Sequence, residues 1–490
     1  MPAEVALLLC TCFVGFLLVL DRKKSAGVSP VLWVPTLWAF YCASRPLGTW
    51  FPGDGIDRNA TTIEEGSTLD RMVLGLMILI GVAILLRRKL NWREVFHDNP
   101  WIVLLYGFMA LSILWSDYPF VSFKRWVKAF GSLLMAWVVL TEPSPSVAIQ
   151  TILRRVAYVL LPYSMLLLKY YPFLGIEYGR WTGERMWLGV TTQKNNLGVL
   201  SMMSAFYLIW TLYQRWREGK LQLSGFQNLV DLSILALALY LLKGPPDNYS
   251  ATSTATLLMA VWMLFVLYRA HDRKEGRGYR MPFAVLIAGI TLGISIPLVG
   301  GGWFGGALEL LGRDATFTGR TEIWAELLPI AWKSPILGLG YGSFWINPPT
   351  KWLLTHSHNG YLEILLELGL IGLALVLAVI VSAYKAARRA LRNSFEWAVF
   401  GICILTVVVF HEISECSFAR ASVFLWFVFL LAFTLMPRMA RASEPVSARA
   451  STCAAGFQTA AWLAEWTAAS SEDRQGTRVP TGGARLEPND

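Results

Sequence analysis

Long apolar segments alternate with short charged segments along almost the whole chain. A helix that crosses the hydrocarbon core of a bilayer needs about 20 predominantly apolar residues. Thirteen segments approach or reach that length, and they are 3–20, 28–44, 72–86, 100–115, 123–140, 152–169, 196–213, 228–243, 252–268, 282–300, 359–384, 395–411 and 422–437. The pattern therefore predicts an all-α polytopic membrane protein with about 12 or 13 transmembrane helices.

Lysine and arginine divide the connections between these spans into two alternating sets. The richer set, which includes Arg22-Lys23-Lys24, Arg154-Arg155 and residues 269–280, is about three times as dense in these cations as the other set. Cytoplasmic connections of membrane proteins collect Lys and Arg, so we assign the richer set to the cytoplasm. With thirteen spans, the N-terminus is then extracytoplasmic and the C-terminal segment is cytoplasmic.

Two long segments are not spans. Residues 301–358 form an extracytoplasmic loop, and loops of this length in a compact protein usually have a function. Residues 438–490 are rich in Ala, Ser, Thr, Pro and Gly and are expected to form a disordered cytoplasmic tail. The predicted organisation is a core bundle of ten helices over 1–300, a catalytic loop over 301–358, three further helices over 359–437, and the tail.

The composition agrees with a membrane protein. Of the 490 residues, 55% are hydrophobic and 16% are charged, whereas soluble domains carry roughly 25% charged residues. The net charge of +10 is explained by cytoplasmic loops, so no nucleic-acid partner is expected. The six cysteines are interpreted as small packing residues, without a disulfide or a metal.

A histidine cluster precedes the span at 359–384. Two of the five histidines of the chain, His356 and His358, lie at its extracytoplasmic mouth, where Ser357 or Asn359 is expected to cap the helix. The positive end of the helix dipole would keep His358 neutral near pH 7, which suits a general base. The competing interpretation is an ordinary interfacial histidine at the start of a helix.

Arginines lie earlier in the same loop. Residues 321–332 have helical periodicity, which places Arg320 at a helix entrance, where backbone N–H groups and a guanidinium can hold an anion together. In the alternative interpretation this helix lies on the bilayer surface, with Arg320 and Arg313 paired to lipid phosphates.

Two glutamates follow the histidines, one and two turns into the span. Glu363 and Glu367 are four residues apart and therefore share a helix face. Carboxylates at this depth are costly and need partners, so we assign them a supporting role beside the substrate. A metal site at the histidines lacks a third ligand with suitable spacing, and no metal or other cofactor is predicted.

Further polar groups are expected on the same side of the membrane. They are Arg45-Pro46, Trp115 to Pro119 followed by Lys124 and Arg125, and Lys194-Asn195-Asn196. Singly, each is typical of an interfacial anchor. Together they gather the cations that an anionic lipid head group would require.

These residues form a recognisable combination. The main block contains Gly319-Arg320, Trp324, Pro335, Gly338, Gly340, Gly342, His358-Asn359, Tyr361-Leu362-Glu363, Glu367, Gly369 and Gly372, and it is preceded by Ser44-Arg45-Pro46 and Lys194-Asn195-Asn196. Over about residues 30–435 the chain resembles the O-antigen ligase/polymerase superfamily (Wzy/WaaL-like), in particular its exopolysaccharide polymerase branch. The resemblance implies a metal-independent glycosyltransferase with a GT-C-like fold.

The resemblance also implies roles for individual residues. His358 corresponds to a histidine that activates the acceptor hydroxyl, and Arg320 to an arginine that holds the diphosphate of the donor. The remaining residues expected around the substrate are Lys194, Asn196, Arg45, Lys124, Arg125, His356, Asn359, Tyr361, Glu363, Glu367 and Arg313. The chain departs from the ligases at 248–256, where it lacks their Ser-Arg pair, so Lys243, Arg180, Arg185 and Lys124 become candidates for a second diphosphate contact.

The expected function is the polymerisation of undecaprenyl-diphosphate-linked oligosaccharide repeat units into exopolysaccharide. The expected location is the bacterial inner membrane with a periplasmic active face, among membrane lipids and with a chain-length regulator or export complex as a further partner. Three alternatives stay open: an O-antigen ligase that transfers the glycan to lipid A core, a transporter of lipid-linked oligosaccharide, and a structural subunit of an export complex.

Overall fold

The structure is a computed structural model. It describes residues 1–25, 27–50, 67–88, 90–179, 183–222, 225–245, 249–273, 281–299, 320–348, 350 and 356–441. The segment 442–490, which contains nearly all of the predicted tail, and most of the first half of the predicted catalytic loop lie outside these residues, as does Arg313.

The described residues are almost entirely helical. In chain order the helices are α1 (Ala3–Lys24), α2 (Trp33–Ala43), α3 (Thr68–Arg87), α4 (Trp92–Asp98), α5 (Pro100–Leu111), α6 (Pro119–Leu140), α7 (Pro145–Tyr170), α8 (Pro172–Gly175), α9 (Lys194–Arg217), α10 (Phe226–Lys243), α11 (Ala251–Asp272), α12 (Met281–Val299), α13 (Arg320–Ala331), α14 (Gly360–Ala390), α15 (Phe395–His411) and α16 (Phe424–Arg441). Short 3-10 turns lie at Pro30–Leu32, Leu47–Thr49, Ser112–Trp115 and Phe344–Ile346. One antiparallel hairpin, β1 (Ile176–Tyr178) with β2 (Arg185–Trp187), pairs Glu177 with Met186.

All thirteen predicted spans coincide with helices. Within the described residues, nine helices are long and apolar enough to cross a membrane, and α4 with the helix that follows it forms a tenth candidate, bent by 91°. Two shorter apolar helices, 30–43 and α15, and the cation-bearing α6 account for the other three predicted spans. The prediction of an all-α polytopic membrane protein is confirmed.

The spans divide into a central and a peripheral group. In the most apolar stretches of α7 and α9, 83% of the residues are buried, against 22% in α1 and 28% in α3 and α10. The peripheral helices expose apolar side chains such as Leu8, Met72 and Leu79. Because these side chains find no cover within the described residues, we expect them to face lipid.

Ion pairs join the helices at the end of the bundle that carries the dense Lys and Arg connections. Asp21 of α1 accepts from Arg154 and Arg155 of α7, at 2.6 and 2.8 Å. Asp231 of α10 pairs with Arg215 of α9 at 2.6 Å. These carboxylates are buried, and burial of a charge is tolerated when it is paired and hydrogen-bonded.

Helix α13 packs inside the protein. Ile323, Trp324 and Leu327 are buried in a cluster that includes residues of α12 and α14. The interpretation of this segment as a helix lying on the bilayer surface is therefore wrong. Trp332, the last residue of the predicted helix, lies beyond the helix end and is 55% exposed.

Helix α14 is interrupted at Gly369, and the glycine turn at 338–342 supplies hydrogen-bond donors to the backbone carbonyls before the interruption. Gly369 adopts φ +65°, which separates the two halves of the helix. The carbonyls of Leu366 and Glu367 accept from the N–H groups of Leu339 and Gly340, both at 2.9 Å. Irregular backbone at membrane depth is tolerated where it is buried in protein and its polar groups are satisfied, and this turn satisfies them.

We predict that Gly369→Ala destabilises the protein. A Cβ atom at this position would lie 2.3 Å from the carbonyl oxygen of Ile336, and the left-handed φ is unfavourable for alanine. The strain is on the order of 1–3 kcal/mol and should lower the midpoint of thermal unfolding in detergent. Gly75→Ala in α3, where no atom lies within 4 Å of the added Cβ, is the matched control, and equal midpoints for the two variants would contradict the account.

Candidate functional site

A cavity of about 300 Å³ lies at the end of the bundle opposite the Asp21 and Asp231 ion pairs. The end of α2, the starts of α6, α9 and α16, the glycine turn and the residues around α15–α16 all contribute to its wall. Its polar lining within the described residues includes Arg125, Lys128, Asn195, Asn196, His356, Glu367, His411, Glu415 and Arg420. Groups that are far apart in the sequence thus meet at one point.

The two histidines of the loop lie side by side before α14. The ring centroids of His356 and His358 are 4.0 Å apart, and His356 lines the cavity. His358 has a φ of +56°, a conformation that costs a non-glycine residue energy and that clusters at functional sites. The Nδ1 atoms of both rings are buried without a hydrogen-bond partner in the described part of the chain.

Neighbouring residues hold this histidine loop in place. The side chain of Asn359 caps α14 by accepting from the N–H of Leu362 at 2.8 Å, as predicted. Its amide group donates to the carbonyls of Gly293 and Ile413, both at 3.0 Å. Tyr361 donates to the carbonyl of Val409 at 3.0 Å. Asn359 and Tyr361, expected beside the substrate, are buried structural residues instead.

Glu363 has the supporting role that the sequence suggested, and it does not line the cavity. Its carboxylate accepts from the indole of Trp345 at 2.7 Å and from the N–H of Ser357 at 2.9 Å. The carbonyl of Ser357 in turn accepts from the indole of Trp324 at 2.9 Å. The loop between His356 and His358 is therefore fixed from both α13 and α14.

Arg320 reaches the histidines from the start of α13. Its guanidinium donates to the carboxylate of Glu415 at 3.0 Å, and the amide of Asn195 donates to the same oxygen at 2.6 Å. A ring nitrogen of His356, a ring nitrogen of His358 and a carboxylate oxygen of Glu415 all lie within 4.8 Å of one another. Sequence reasoning missed Glu415, because it lies in the short connection between α15 and α16.

Burial sets the charge of these groups. Burial, together with the charges of Arg320 and Arg420, lowers the pKa of His358 to about 3. The pKa of His356 is also well below its ordinary value, with burial as the largest cause. Burial raises the pKa of Glu415 to about 7, although the nearby positive charges oppose this. Both histidines are therefore neutral at physiological pH.

Arg420 is a second functional candidate that the sequence did not single out as a site residue. It lines the cavity, and its charge acts on His356, His358 and Glu415. The loop that presents it contains two non-glycine residues with left-handed φ, Ala419 at +53° and Ser422 at +59°. The hydroxyl of Tyr341 donates to the carbonyl of Ala419 at 2.7 Å and fixes this loop to the glycine turn.

Helix α6 contributes two further cations. Arg125 donates to the carbonyl of Gly342 at 2.5 Å, and Lys128 lies 5.4 Å from the ring centroid of Tyr41. Both line the cavity together with Glu367. Lys128 lies within the predicted span at 123–140, and in the structure it lines the cavity.

Comparisons with known proteins support the resemblance noted in the sequence. A family model described as O-Antigen ligase matches residues 236–377. The chain is also 25% identical over 364 residues to the exopolysaccharide production protein ExoQ of Rhizobium meliloti (strain 1021), an alignment that covers 70% of this chain and 78% of that protein. Both matches are similarities to the O-antigen ligase/polymerase superfamily.

The superfamily match includes Arg320 and both histidines, and it ends before Glu415 and Arg420. The residues that complete the cavity therefore lie on the C-terminal side of the matched region. A sequence signal for Arg420 exists nevertheless, since it is an arginine between two predicted spans, on the side where cations are sparse.

Three other residues expected around the substrate, Arg45, Lys124 and Lys194, lie outside the cavity lining. Arg45 is buried, and one of its nitrogens donates to the carbonyls of Leu174, Gly189 and Thr191 at 2.7–3.0 Å, so it organises the 174–191 loop. Lys124 lies over the ring of Phe120 at 5.2 Å. Lys194 opens α9 beside Asn195 and acts on Glu415 through its charge. Asn196 lines the cavity, as predicted.

The candidates for a second diphosphate contact also need revision. Arg185 lies on β2 with an exposed side chain, and neither it nor Lys243 at the end of α10 lines the cavity. Arg180 lies outside the described residues. Arg420, Arg125 and Lys128 are the cations that the cavity presents instead.

The histidines and Glu415 are the residues whose donor atoms are close enough to hold a metal ion. Two observations oppose that use. Glu415 is engaged by the guanidinium of Arg320, and Arg320 and Arg420 both lower the proton affinity of His358. The same positive field would repel a divalent cation, so these residues fit an anion-binding site better than a metal site.

We predict that thermal stability falls between about pH 5 and pH 8 and that Glu412→Gln reduces the fall. Burial raises the pKa of Glu412 to about 8, so the folded state binds a proton that the unfolded state, with an ordinary carboxyl pKa near 4.5, has released. The stabilisation that this proton provides is complete below pH 4.5 and is lost as the pH rises through 8. The free energy of unfolding then falls by at most about 1.4 kcal/mol per pH unit.

The measurement is the thermal midpoint in detergent across this pH range. Glu177→Gln, on an exposed position of β1, is the control and should keep the wild-type slope. An unchanged slope in Glu412→Gln would contradict the assignment.

Proposed function

We propose that this protein is a membrane glycosyltransferase that polymerises polyprenyl-diphosphate-linked oligosaccharide repeat units into exopolysaccharide. The observation that carries the proposal is the contact between two neutral, buried histidines. His356 lines the cavity together with Arg420, and Arg320 and Arg420 both act through their charge on the adjacent His358. Such an arrangement offers a proton acceptor and an anion clamp side by side. The similarity to a protein named for exopolysaccharide production supports this substrate class.

The proposed reaction is a direct displacement at the anomeric carbon of the donor. His358 takes the proton of an acceptor hydroxyl as its oxygen forms the new glycosidic bond. The bond between the anomeric carbon and the diphosphate breaks, and its electron pair leaves with the diphosphate oxygen. Arg320 and Arg420 stabilise the charge that develops there. Such a displacement inverts the anomeric centre.

The proposal includes metal independence and an extracytoplasmic active face. A diphosphate is a leaving group that already carries negative charge, and two guanidiniums can provide the stabilisation that a metal ion provides elsewhere. The cavity lies at the end of the bundle away from the dense Lys and Arg connections, which the charge asymmetry assigns to the cytoplasm. In a bacterium, the proposed active face is the periplasmic face of the inner membrane.

The ligase reaction is the second candidate, favoured by the description of the matching family model. It would use the same donor and the same base and clamp. The two functions differ in the acceptor, which is a second lipid-linked glycan in the polymerase and lipid A core in the ligase. The choice of acceptor therefore separates them in one assay.

We predict that purified wild-type protein elongates lipid-linked repeat units in the presence of EDTA. The donor is extracted from cells that lack this chain, and the readouts are glycan length and released polyprenyl diphosphate. His358→Ala should lower kcat by about 10²–10⁴-fold through loss of the base. Arg320→Ala should lower it by about 10²–10³-fold through loss of charge stabilisation.

The matched controls are His97→Ala, whose side chain is 86% exposed, and Arg71→Ala on the exposed face of α3. Both should keep wild-type turnover. Consumption of donor only when lipid A core is added would assign the ligase function. Full activity of both His358→Ala and Arg320→Ala would refute the site, and loss of wild-type activity on EDTA treatment would refute metal independence.

A further inference from the structure

Glu415 occupies the centre of the charged groups around the cavity. Only 8% of the residue is exposed, and one carboxylate oxygen accepts from both Arg320 and Asn195. Two helix starts, those of α13 and α9, are thereby joined to the connection between α15 and α16. Arg320, which is proposed to hold the diphosphate of the donor, is thus bound to the carboxylate of Glu415 in the structure.

A diphosphate must compete with this carboxylate for Arg320. Both ligands offer anionic oxygens to the same guanidinium, whose planar fork suits either. When the guanidinium turns toward the diphosphate, Glu415 loses the cation that lies 3.0 Å from its carboxylate. A buried carboxylate that loses its partner gains proton affinity.

The histidine that would supply a proton lies within reach. Donor atoms of Glu415, His356 and His358 lie within 4.8 Å of one another, a distance that a small side-chain rotation or one water molecule can bridge. Burial is the largest cause of the low proton affinity of His358, and the charges of Arg320 and Arg420 lower it too. A bound diphosphate would offset the charges of both arginines and so raise the basicity of the ring in part.

We propose that Glu415 is a positioning residue that holds Arg320 in the empty site and accepts the acceptor proton from His358 once the donor has drawn Arg320 away. This inference rests on the proposed function. It makes the strength of the base depend on the presence of the donor, so that the acceptor hydroxyl is activated only when there is an anomeric carbon to attack.

The proton balance of the step is as follows. The O–H bond of the acceptor breaks, the oxygen bonds to the anomeric carbon, and the proton moves to His358 and then to Glu415. The diphosphate leaves with the electron pair of the bond to carbon. Protonated Glu415 no longer competes for Arg320, and it releases the proton when polyprenyl diphosphate departs and the Arg320 contact reforms.

Several charged groups act on Glu415 besides Arg320. Lys194 at the start of α9 and Arg420 in the same connection lower its proton affinity, and burial, which has the largest effect, raises its pKa to about 7. Glu412 lies close enough for its charge to interact with that of Glu415. The pH dependence of kcat should therefore be measured in variants that change Glu415 alone and compared with that of wild type.

The test compares Glu415→Gln with wild type in the elongation assay. The amide keeps the shape and an acceptor oxygen but neither holds Arg320 by charge nor accepts a proton. We expect an unchanged or lower KM for the lipid-linked donor and a kcat reduced by about 10–100-fold. We also expect loss of the rise in kcat with pH, which in wild type should lie above pH 7 because the bound donor has drawn Arg320 away from Glu415. Glu415→Asp should recover part of kcat and the pH dependence, and Glu177→Gln should behave as wild type.

A second measurement uses wild type alone and so does not depend on the folding of a variant. Protonation of Glu415 below pH 7 should free Arg320, so the KM for the intact donor, whose diphosphate diester does not titrate in this range, should fall between pH 8 and pH 6. A purely structural role would raise KM and lower thermal stability together in Glu415→Gln. That result, or a wild-type kcat with a normal pH profile in Glu415→Gln, would overturn the inference and leave the proposed function intact. An inactive wild type would overturn both.

Discussion

Polar groups that are buried among apolar helices must find partners within the protein, because no water replaces them. At the cavity end of this bundle, that requirement ties four segments together. The carboxylate of Glu363 holds the histidine loop from α14, while the carboxylate of Glu412 accepts from the N–H groups of Ser417 and Phe418. Glu415 joins the starts of α13 and α9. The position of each candidate catalytic group follows from these contacts.

The same requirement shapes the backbone. A break in α14 at Gly369 would leave carbonyls without partners, and the glycine turn at 338–342 donates N–H groups to them. The turn then carries Gly342, whose carbonyl accepts from Arg125, and Tyr341, whose hydroxyl fixes the Arg420 loop. Repair of one helix thus determines where two cations of the cavity lie.

The sequence pattern was sufficient for the class of fold, and it pointed to several residues that the structure brings to the cavity. Every predicted span is a helix, and Asn359 caps α14 as its position suggested. His356, Arg125, Asn196 and Glu367 reach the cavity. The pattern did not predict which polar side chains hydrogen-bond to the protein's own backbone instead of lining the cavity. Arg45, for example, has the charge of a diphosphate ligand, but carbonyls of a loop more than 100 residues away along the chain take up its hydrogen bonds.

Hydropathy and the spacing of charges are local properties, and the sequence by itself therefore determined the helices, their membrane character and the neighbourhood of His358. Which charges face one another depends on how the helices pack, and only the tertiary structure decided that. Packing buried α13 against α12 and α14 instead of leaving it at a bilayer surface, and it brought Glu415 and Arg420 from a short connection to the histidines. A contact such as that between Asn195 and Glu415, which are 220 positions apart, has no signature in a single sequence. Its energy exists only after the helices have come together.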